Sequence, residues 1–252
     1  MVTTAEVYAP IEAPPTAPRP YGLFSVAPPT DGGERWRVGV GMQSYNCMEA
    51  GTWNDVCIDG AADEPKELTD WLCDVTVFDP FTVYLLTSRT GVDVNEATPE
   101  MQAAFEAAEQ RAVESQLWAQ VSAVAANGGS HANLAVALAT VEGNLAVNYN
   151  GLGVIHLSPY SATILSALLE PDGDRQYTRA NRTPVVVGAG YGDPDTPTVE
   201  IVGTGAVFVR RGELDALTSW DLSVNDINAL AERTYLVGWD CYAIKSTVTE
   251  AP

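Results

Sequence analysis

This 252-residue chain has only two histidines and four cysteines with which to build a zinc site or to supply imidazole and thiol chemistry. They are His131, His156, Cys47, Cys57, Cys73 and Cys241. No Cys-x-x-Cys pair and no His-Glu-x-x-His spacing occurs among them, so a zinc site is not predicted. His156 stands in an apolar strand pattern and His131 in the first turn of a helix, which favours two hydrogen-bonded structural histidines.

The cysteines admit two interpretations. Cys47 and Cys57 bracket a short loop and could form a disulfide under oxidising conditions. The alternative, which we favour, is that all four cysteines are buried structural thiols in a reducing compartment.

Motifs for catalysis are few. The glycines of Gly188–Asp193 (GAGYGD) lack the third Gly of a dinucleotide-binding motif and lead into a Pro-rich turn instead of a helix. The acidic pairs Asp172/Asp174 and Asp193/Asp195 could hold a cation, but their Pro and Gly neighbours favour solvated turns. No nucleophile elbow, P-loop or distinct pair of glycosidase carboxylates stands out. We therefore predict no enzymatic activity, no catalytic residue, no metal and no cofactor.

The composition disfavours several classes of protein. With 46% hydrophobic and 18% charged residues, the chain has ample material for a core. Its 13 Lys and Arg against 33 Asp and Glu give a net charge of −20, which disfavours binding to nucleic-acid grooves or to anionic membranes. The N-terminal residues show no signal-peptide pattern, and no apolar run approaches the length of a bilayer span. We expect a folded, acidic protein that binds no membrane.

Residues 1–73 make up two irregular regions. The seven prolines of residues 1–33 predict an extended arm, with an ordinary disordered tail as the alternative. Residues 34–73 mix Gly and Cys with Trp36, Trp53 and Trp71, without sustained periodicity. Tryptophans in a segment too irregular to form its own domain are typical of subunit interfaces. Trp36 and Trp53 are therefore our candidate subunit-contact residues, expected to lose much of their exposure when copies of the chain assemble.

The clearest element is a long helix. Thr98 is predicted as its N-cap, Pro99 as its first helical residue and Asn127-Gly128-Gly129 as its end. Its predicted buried face begins with Met101, Phe105, Ala108 and Ala112 and continues with Leu117 and Val121. The other face is predicted to be polar, with Glu106, Glu109, Gln110, Glu114 and Gln116. A strand pattern over Asp74–Ser88, with a bend at Pro80, precedes the helix.

The remainder alternates helix and strand patterns and ends rich in strands. The predicted elements are a helix capped by Ser130 and ended by Gly143, a strand Leu152–Leu157, a helix from Ser158-Pro159 to about Leu169, a strand Pro184–Val187, strands over Val199–Arg211 broken at Gly203 and Gly205, and one long strand pattern Arg233–Val248. No repeat of fixed period appears.

The order of these segments resembles the coat-protein fold shared by the major capsid proteins of tailed bacteriophages and the bacterial encapsulins. Five stretches carry the resemblance: Asp74–Tyr84, Glu106–Val121, Leu138–Leu165, Arg182–Tyr191 and Gly205–Ile244. They are similar to the strand before the spine helix, the spine helix, the helix–strand–helix module, the strand into the axial tip, and the closing hairpin with the final strand. The acidic, lysine-poor sequence is closest in character to coat proteins of siphophages that infect actinobacteria.

The resemblance implies an α+β fold with an N-terminal arm (1–33), an extended loop region (34–73), a peripheral domain with the spine helix (74–130), a mainly axial domain (131–204) and closing strands (205–252). It implies that the extended loop lies across a neighbouring subunit. It also implies a major capsid protein that assembles in the host cytoplasm into pentamers and hexamers of an icosahedral shell. That shell would enclose phage DNA without sequence-specific binding and could recruit scaffold, portal and decoration proteins.

Three other functions stay open from the sequence. An encapsulin-like shell around a protein cargo fits the short chain, and a minor capsid or tail component fits the same composition. A small acidic hydrolase is the alternative from a different class. Covalent cross-linking through lysine has little support, because Lys66 is the only lysine of residues 34–73.

Overall fold

The computed structural model describes residues 19–31, 34–50, 75–90, 94–192, 198–223 and 226–249. The α-helices in this part of the chain are α1 Leu23–Val26, α2 Val94–Val124, α3 Leu134–Asn148 and α4 Pro159–Ile164. Short 3₁₀ helices span Glu34–Val38 and Ser166–Leu168. The strands are β1 Thr30–Asp31, β2 Val40–Met42, β3 Thr76–Phe78, β4 Phe81–Thr90, β5 Ala126–His131, β6 Val154–Leu157, β7 Leu169–Asp172, β8 Arg175–Thr178, β9 Pro184–Val187, β10 Thr198–Thr204, β11 Val207–Arg211, β12 Asp215–Asp221, β13 Asp226–Trp239 and β14 Ala243–Thr249.

A seven-stranded mixed sheet has the order β5-β14-β10-β6-β9-β8-β7. All four residues of its middle strand β6 are buried, so both faces of the sheet are covered there. On one face, Ile155 and Leu157 belong to the same hydrophobic cluster as Leu138 and Val141 of α3. On the other face, Val154 belongs to a cluster that contains residues of α2. The sheet is therefore the middle layer between two groups of helices.

A five-stranded sheet is built around β13, the longest strand. Strand β4 pairs antiparallel with residues 226–235 of β13, while β12 pairs with residues 226–232 and β11 with residues 235–239. Because Tyr235 pairs with both Phe81 of β4 and Arg211 of β11, these two strands lie on opposite edges of β13. The short strands β2 and β3 pair only with each other, as an antiparallel ribbon.

Helix α2 connects the two sheets through a buried stripe that recurs every four residues. The stripe consists of Met101, Phe105, Glu109, Val113, Leu117 and Val121. Since 3.6 residues make one turn, a four-residue step rotates the stripe by about 40°, so it winds about half-way round the helix over these residues. Its first half packs with Ala229 and Ala231 of β13. Its second half joins a cluster that contains residues of both sheets.

The bounds of the long helix differ from the prediction. It begins at Val94, with Pro99 inside it, and it ends at Val124. The Asn127-Gly128-Gly129 segment belongs to β5, which pairs parallel with β14. Ala108 is exposed and Ala112 half-buried, so two of the six residues on the predicted buried face do not form the stripe.

The next helix differs as well. Ser130 lies in β5, and Asn133 is the N-cap of α3, because its side-chain Oδ1 accepts a hydrogen bond of 2.9 Å from the Val136 N–H. The helix continues through Gly143 to Asn148. The predicted long strand Arg233–Val248 is two strands, β13 and β14, separated by a turn at residues 240–242.

Several sequence predictions are confirmed. Pro80 separates β3 from β4, and Ser158 caps α4 with Pro159 in its first turn. Pro184–Val187 is β9 as predicted. The break after β10 falls at Gly205, whereas Gly203 lies inside β10. A Cβ atom on Gly203 would come within 2.5 Å of a Val141 methyl carbon, so glycine there allows α3 to approach the sheet closely.

The N-terminal region is part of the folded core from residue 19 onward, which corrects the prediction of an arm over residues 1–33. Leu23 of α1 is fully buried. The Val187 N–H of β9 donates to the Tyr21 carbonyl at 2.7 Å, and β1 pairs parallel with β11. The predicted arm over residues 1–18 lies outside the described residues.

Candidate subunit-contact region

Trp36 is buried within its own subunit. Its side chain is 6% exposed and belongs to the hydrophobic cluster that also contains Phe78 and Trp239. It has little surface left to lose on assembly, which corrects our expectation that a single subunit leaves it exposed. Trp53 lies outside the described residues. A contact role for either tryptophan between copies of the chain stays a prediction.

The β2–β3 ribbon exposes aliphatic side chains that the sequence analysis missed. The ribbon buries Phe78 on its inner side, whereas Val75 is 57% and Val77 65% exposed. Val77 pairs with Gly41 of β2, so no side chain of β2 covers Val77. β-Branched residues at strand positions are usually signals of burial, and the sequence carries no sign that this ribbon has only one covered face. These valines are contact candidates beside the segment 51–74.

A disulfide joins Cys47 to Cys241 across 194 residues, with their Cα atoms 6.2 Å apart. This contradicts both the Cys47–Cys57 pairing and the prediction of four free thiols. Loop length in the sequence could not reveal the partner, because the fold brings the segment after β2 against the turn between β13 and β14. Cys57 and Cys73 lie outside the described residues.

Asp240 in this turn adds hydrogen bonds beside the disulfide. Its carboxylate accepts from the Asn46 side-chain amide and, at 3.1 Å, from the Tyr149 hydroxyl. Burial raises the pKa of Tyr149, and the neighbouring Asp240 carboxylate raises it further. The Asn150 N–H donates to the Asn46 carbonyl at 2.7 Å, and the Asn150 side-chain amide donates to the Met48 carbonyl at 2.6 Å. The start of the extended loop region is thus fixed to the end of α3 and to the β13–β14 turn.

Glu114 of α2 is a fully buried carboxylate that holds two distant segments. It accepts hydrogen bonds from the Leu23 N–H at 3.0 Å and from the Gly190 N–H at 3.1 Å. The Gln110 side-chain amide donates to it as well, at 3.0 Å. Burial raises the pKa of Glu114, and these donors offset part of that rise. The residue joins α1, α2 and the turn after β9.

A second buried carboxylate on α2 binds the five-stranded sheet. Glu109 forms an ion pair of 2.6 Å with Arg233 of β13 and accepts a short hydrogen bond from the Tyr235 hydroxyl. Burial raises the pKa of Tyr235, which keeps the hydroxyl a donor to this carboxylate. The Arg233 guanidinium also lies over the Phe105 ring, 5.7 Å from its centroid. The pair fixes the position of the helix along β13.

Both histidines form hydrogen bonds within the fold, as predicted, but His131 lies at the end of β5 and not in the first turn of a helix. His156 is fully buried, and its ring nitrogens contact the Tyr191 hydroxyl at 3.0 Å and the Thr204 hydroxyl at 2.9 Å. Because Thr204 donates its own proton to the Gly205 carbonyl, His156 Nε2 is the donor to Thr204 and Nδ1 accepts from Tyr191. Burial lowers the pKa of His156 to about 3, so the ring is neutral. The His131 ring lies 3.1 Å from the Gly128 carbonyl.

The other candidate sites from the sequence are the acidic pairs Asp172/Asp174 and Asp193/Asp195. Asp172 is exposed and its carboxylate pairs with Arg182 at 3.3 Å. Among residues 19–249 outside the gaps, no group of three His, Cys, Asp or Glu side chains is arranged to hold a metal ion. Asp193 and Asp195 belong to the part of the chain that is not described. No helix of the described chain is both long enough and apolar enough to cross a membrane.

No protein-family model and no curated protein matches this sequence. Solved structures do match in fold. A chain of the bacteriophage PhiM1 mature capsid has 12% identity and a TM-score of 0.53, over 100% of this chain and 93% of its own. A capsid chain of a native GTA particle has 11% identity and a TM-score of 0.61, over 99% and 95%. The SrpI encapsulin of Synechococcus elongatus has 8% identity and a TM-score of 0.53, over 71% and 76%.

These matches confirm the predicted fold class. The chain has the α+β fold that phage capsid proteins share with encapsulins, and the similarity to the phage and GTA capsid chains extends over nearly its whole length. The long helix α2, with a sheet packed at each end, corresponds to the spine helix that the sequence predicted.

Proposed function

We propose that this protein is a major capsid protein that self-assembles into the icosahedral shell of a tailed bacteriophage. The observation that carries the proposal is the similarity in fold to phage and GTA capsid chains over 99–100% of this chain. An uncovered aliphatic ribbon beside the extended loop region is consistent with a subunit that completes its packing on neighbouring copies.

The proposed role is structural and not enzymatic. The buried groups that could titrate are engaged in the fold: His156 is neutral between two hydroxyls, and Glu109 and Glu114 bind segments of the chain to α2. A subunit with a net charge of −20 repels DNA, so a shell of such subunits can enclose DNA without binding it tightly. Pentamers and hexamers of the chain, assembled in the host cytoplasm, would make up the virion shell, with scaffold, portal and decoration proteins as further partners.

The domain division that we propose follows the two sheets. Strand β4 and the first part of α2 belong to the peripheral domain (74–130), and strands β6 to β10 with α3 and α4 belong to the axial domain (mainly 131–204). The closing strands (205–252) contribute to both sheets. The arm is limited to residues 1–18, and the extended loop region keeps its predicted bounds of 34–73.

An encapsulin-like shell is the second candidate, because an encapsulin shares the fold over a smaller part of the chain. Negative-stain electron microscopy of the purified chain tests both, with analysis of the contents. Closed shells that contain DNA, when purified from cells that produce the phage, support the capsid proposal. Closed shells around a co-purified protein support the encapsulin. Rings or tubes would indicate a tail component, and small uniform particles an enzyme.

A further inference from the structure

Helix α3 presents a solvent-facing side without any charged residue. Its exposed positions include Ala135, Val136, Ala139, Gly143, Ala146 and Val147. Val136 is 48% and Val147 77% exposed. A helix that is apolar on its inner and its outer side is usually buried on both sides. The exposed side of α2, in contrast, carries Glu100, Glu106 and Arg111.

The polar side chains of α3 are already satisfied by the chain itself. Glu142, its only charged residue, accepts from the Thr178 hydroxyl at 2.6 Å and from the Thr183 hydroxyl at 3.0 Å. Thr140 and Asn144 donate to the helix carbonyls four residues before them, at 2.9 and 2.8 Å. Asn148 does the same at 2.9 Å. Covering this side would therefore leave few of these polar groups without a partner.

Gly143 lies in the middle of this exposed side. A Cβ atom added there would meet nothing within 4 Å. Glycine inside a helix lowers helix stability relative to alanine. At Gly203 the packing within the subunit explains a glycine, but no described neighbour explains this one.

We propose that the outer side of α3 is a contact surface for a second copy of this chain. The inference rests on the proposed shell function and names one surface through which copies meet. Two subunits of net charge −20 repel each other, so contacts between copies are favoured where charge is absent from the surface. The outer side of α3 meets that condition, and its exposed valines supply apolar area to bury.

The other possible occupant is the segment 51–74 of the same chain, since residues 46–48 already contact Asn150 beyond the end of α3. That segment carries seven acidic residues and one lysine. It would cover α3 in the isolated subunit, whereas a second copy covers α3 only on assembly. The stability of the unassembled subunit therefore separates the two occupants.

The test uses Gly143→Ala, Gly143→Glu and the control Ala107→Glu, which adds the same charge at an exposed position of α2. Two quantities are measured: the melting temperature of unassembled subunits and the assembled fraction by sedimentation. Gly143→Ala should raise the subunit melting temperature by about 2–4 °C. Gly143→Glu should leave the subunit folded but lower the assembled fraction about tenfold or more. Ala107→Glu should assemble like the wild type.

Three results would overturn the inference. Normal assembly of Gly143→Glu, or an equal loss with Ala107→Glu, would show that α3 is no specific contact. A lower subunit melting temperature for Gly143→Ala would show that the chain covers α3 itself. If the wild type forms shells and Gly143→Glu also does, only this inference fails. If the wild type stays monomeric, the proposed function fails with it.

Discussion

Glu114 shows how one buried carboxylate joins segments that are remote in sequence. Its partners Leu23 and Gly190 lie 91 and 76 residues away. From the sequence, Glu114 is one of several acids on the polar side of a helix, because nothing local marks it as buried. The donors that compensate its burial are backbone N–H groups, which every residue except proline carries. Such a site can be recognised only once the chain is folded.

The pH dependence of Glu114→Gln tests this contact. Burial raises the pKa of Glu114 above 4.5 in the folded chain. At pH values between 4.5 and the folded pKa, the folded state therefore holds a proton that the unfolded state has released. The contribution of Glu114 to stability therefore falls as pH rises from about 4.5 to the folded pKa. Glutamine does not titrate, so the wild type should lose stability relative to Glu114→Gln across this window. Urea unfolding at several pH values measures the difference.

Glu106→Gln is the matched control, because Glu106 is exposed on the same helix. Its stability should stay within about 0.5 kcal/mol of the wild type at each pH. The difference in unfolding free energy between the wild type and Glu114→Gln could instead stay constant with pH, or shift in favour of the wild type as pH rises. Either result would contradict the buried contact of Glu114.

The Cys47–Cys241 disulfide should stabilise the subunit. We expect reductant to lower the free energy of unfolding of the oxidised wild type by about 2–4 kcal/mol, since the bond closes a long loop. The double variant Cys47→Ser/Cys241→Ser should show the lower stability without reductant and no further change with it. Thermal unfolding with and without reductant checks this. A wild type that is insensitive to reductant would show that the bond is absent or contributes nothing.

At the scale of elements, the sequence located the spine helix but not its full buried face. Met101, Phe105, Leu117 and Val121 are buried as predicted, because each pair is spaced by four residues, as on one side of a helix. The face then rotates with the four-residue stripe, so Glu109 and Val113 take the buried positions that were assigned to Ala108 and Ala112. A pattern search that assumes one flat partner cannot predict a helix that packs against two sheets in different directions.

The helix caps show the same limit. Ser158 was predicted correctly because its side chain and Pro159 act within one turn. Ser130 is an equally good cap by type, but pairing of β5 with β14 holds it in a strand. Pro99 was expected at the first helical position, yet α2 begins five residues earlier. Local chemistry therefore predicted the start of α4, whereas strand pairing overrode it at Ser130 and the start of α2 lies before the predicted cap.

Two substitutions on α2 distinguish the observed face from the predicted one. Phe105→Glu places a charge at a position that is 1% exposed, and should lower stability by about 3–5 kcal/mol. Ala108→Glu places the same charge at an exposed position, so its effect should stay within about 0.5 kcal/mol. Denaturant unfolding of the soluble variants measures both. Equal losses of stability for the two variants would show that Ala108 lies on the buried face.

At the scale of the whole molecule, the order of elements was predictable and the long-range pairings were not. Strand β1 pairs with β11 across 180 residues, and Tyr21 bonds β9 through its backbone. The proline content of residues 1–33 predicts an extended arm over the whole segment, but Leu23 lies in the core. A four-residue helix carries too little periodicity to reveal that burial from sequence.

Deletions separate the arm from the core. Removing residues 1–18 should leave the free energy of unfolding within about 0.5 kcal/mol of the wild type, while shells become defective or mis-sized. Removing residues 1–27 also deletes α1, and should lower stability at least as much as Leu23→Ala does, about 2–5 kcal/mol. Unfolding curves of the truncated and point variants check both. A stable subunit without residues 19–27 would contradict the assignment of α1 to the core.

The most direct test of the account is cryo-electron microscopy of particles formed by the purified 252-residue chain. We expect closed shells with icosahedral symmetry, in which each subunit has the fold described above and α2 lies within the shell wall. A chain that remains as single 26.8 kDa subunits at every concentration and salt condition tried would contradict the central claim that this protein builds a capsid.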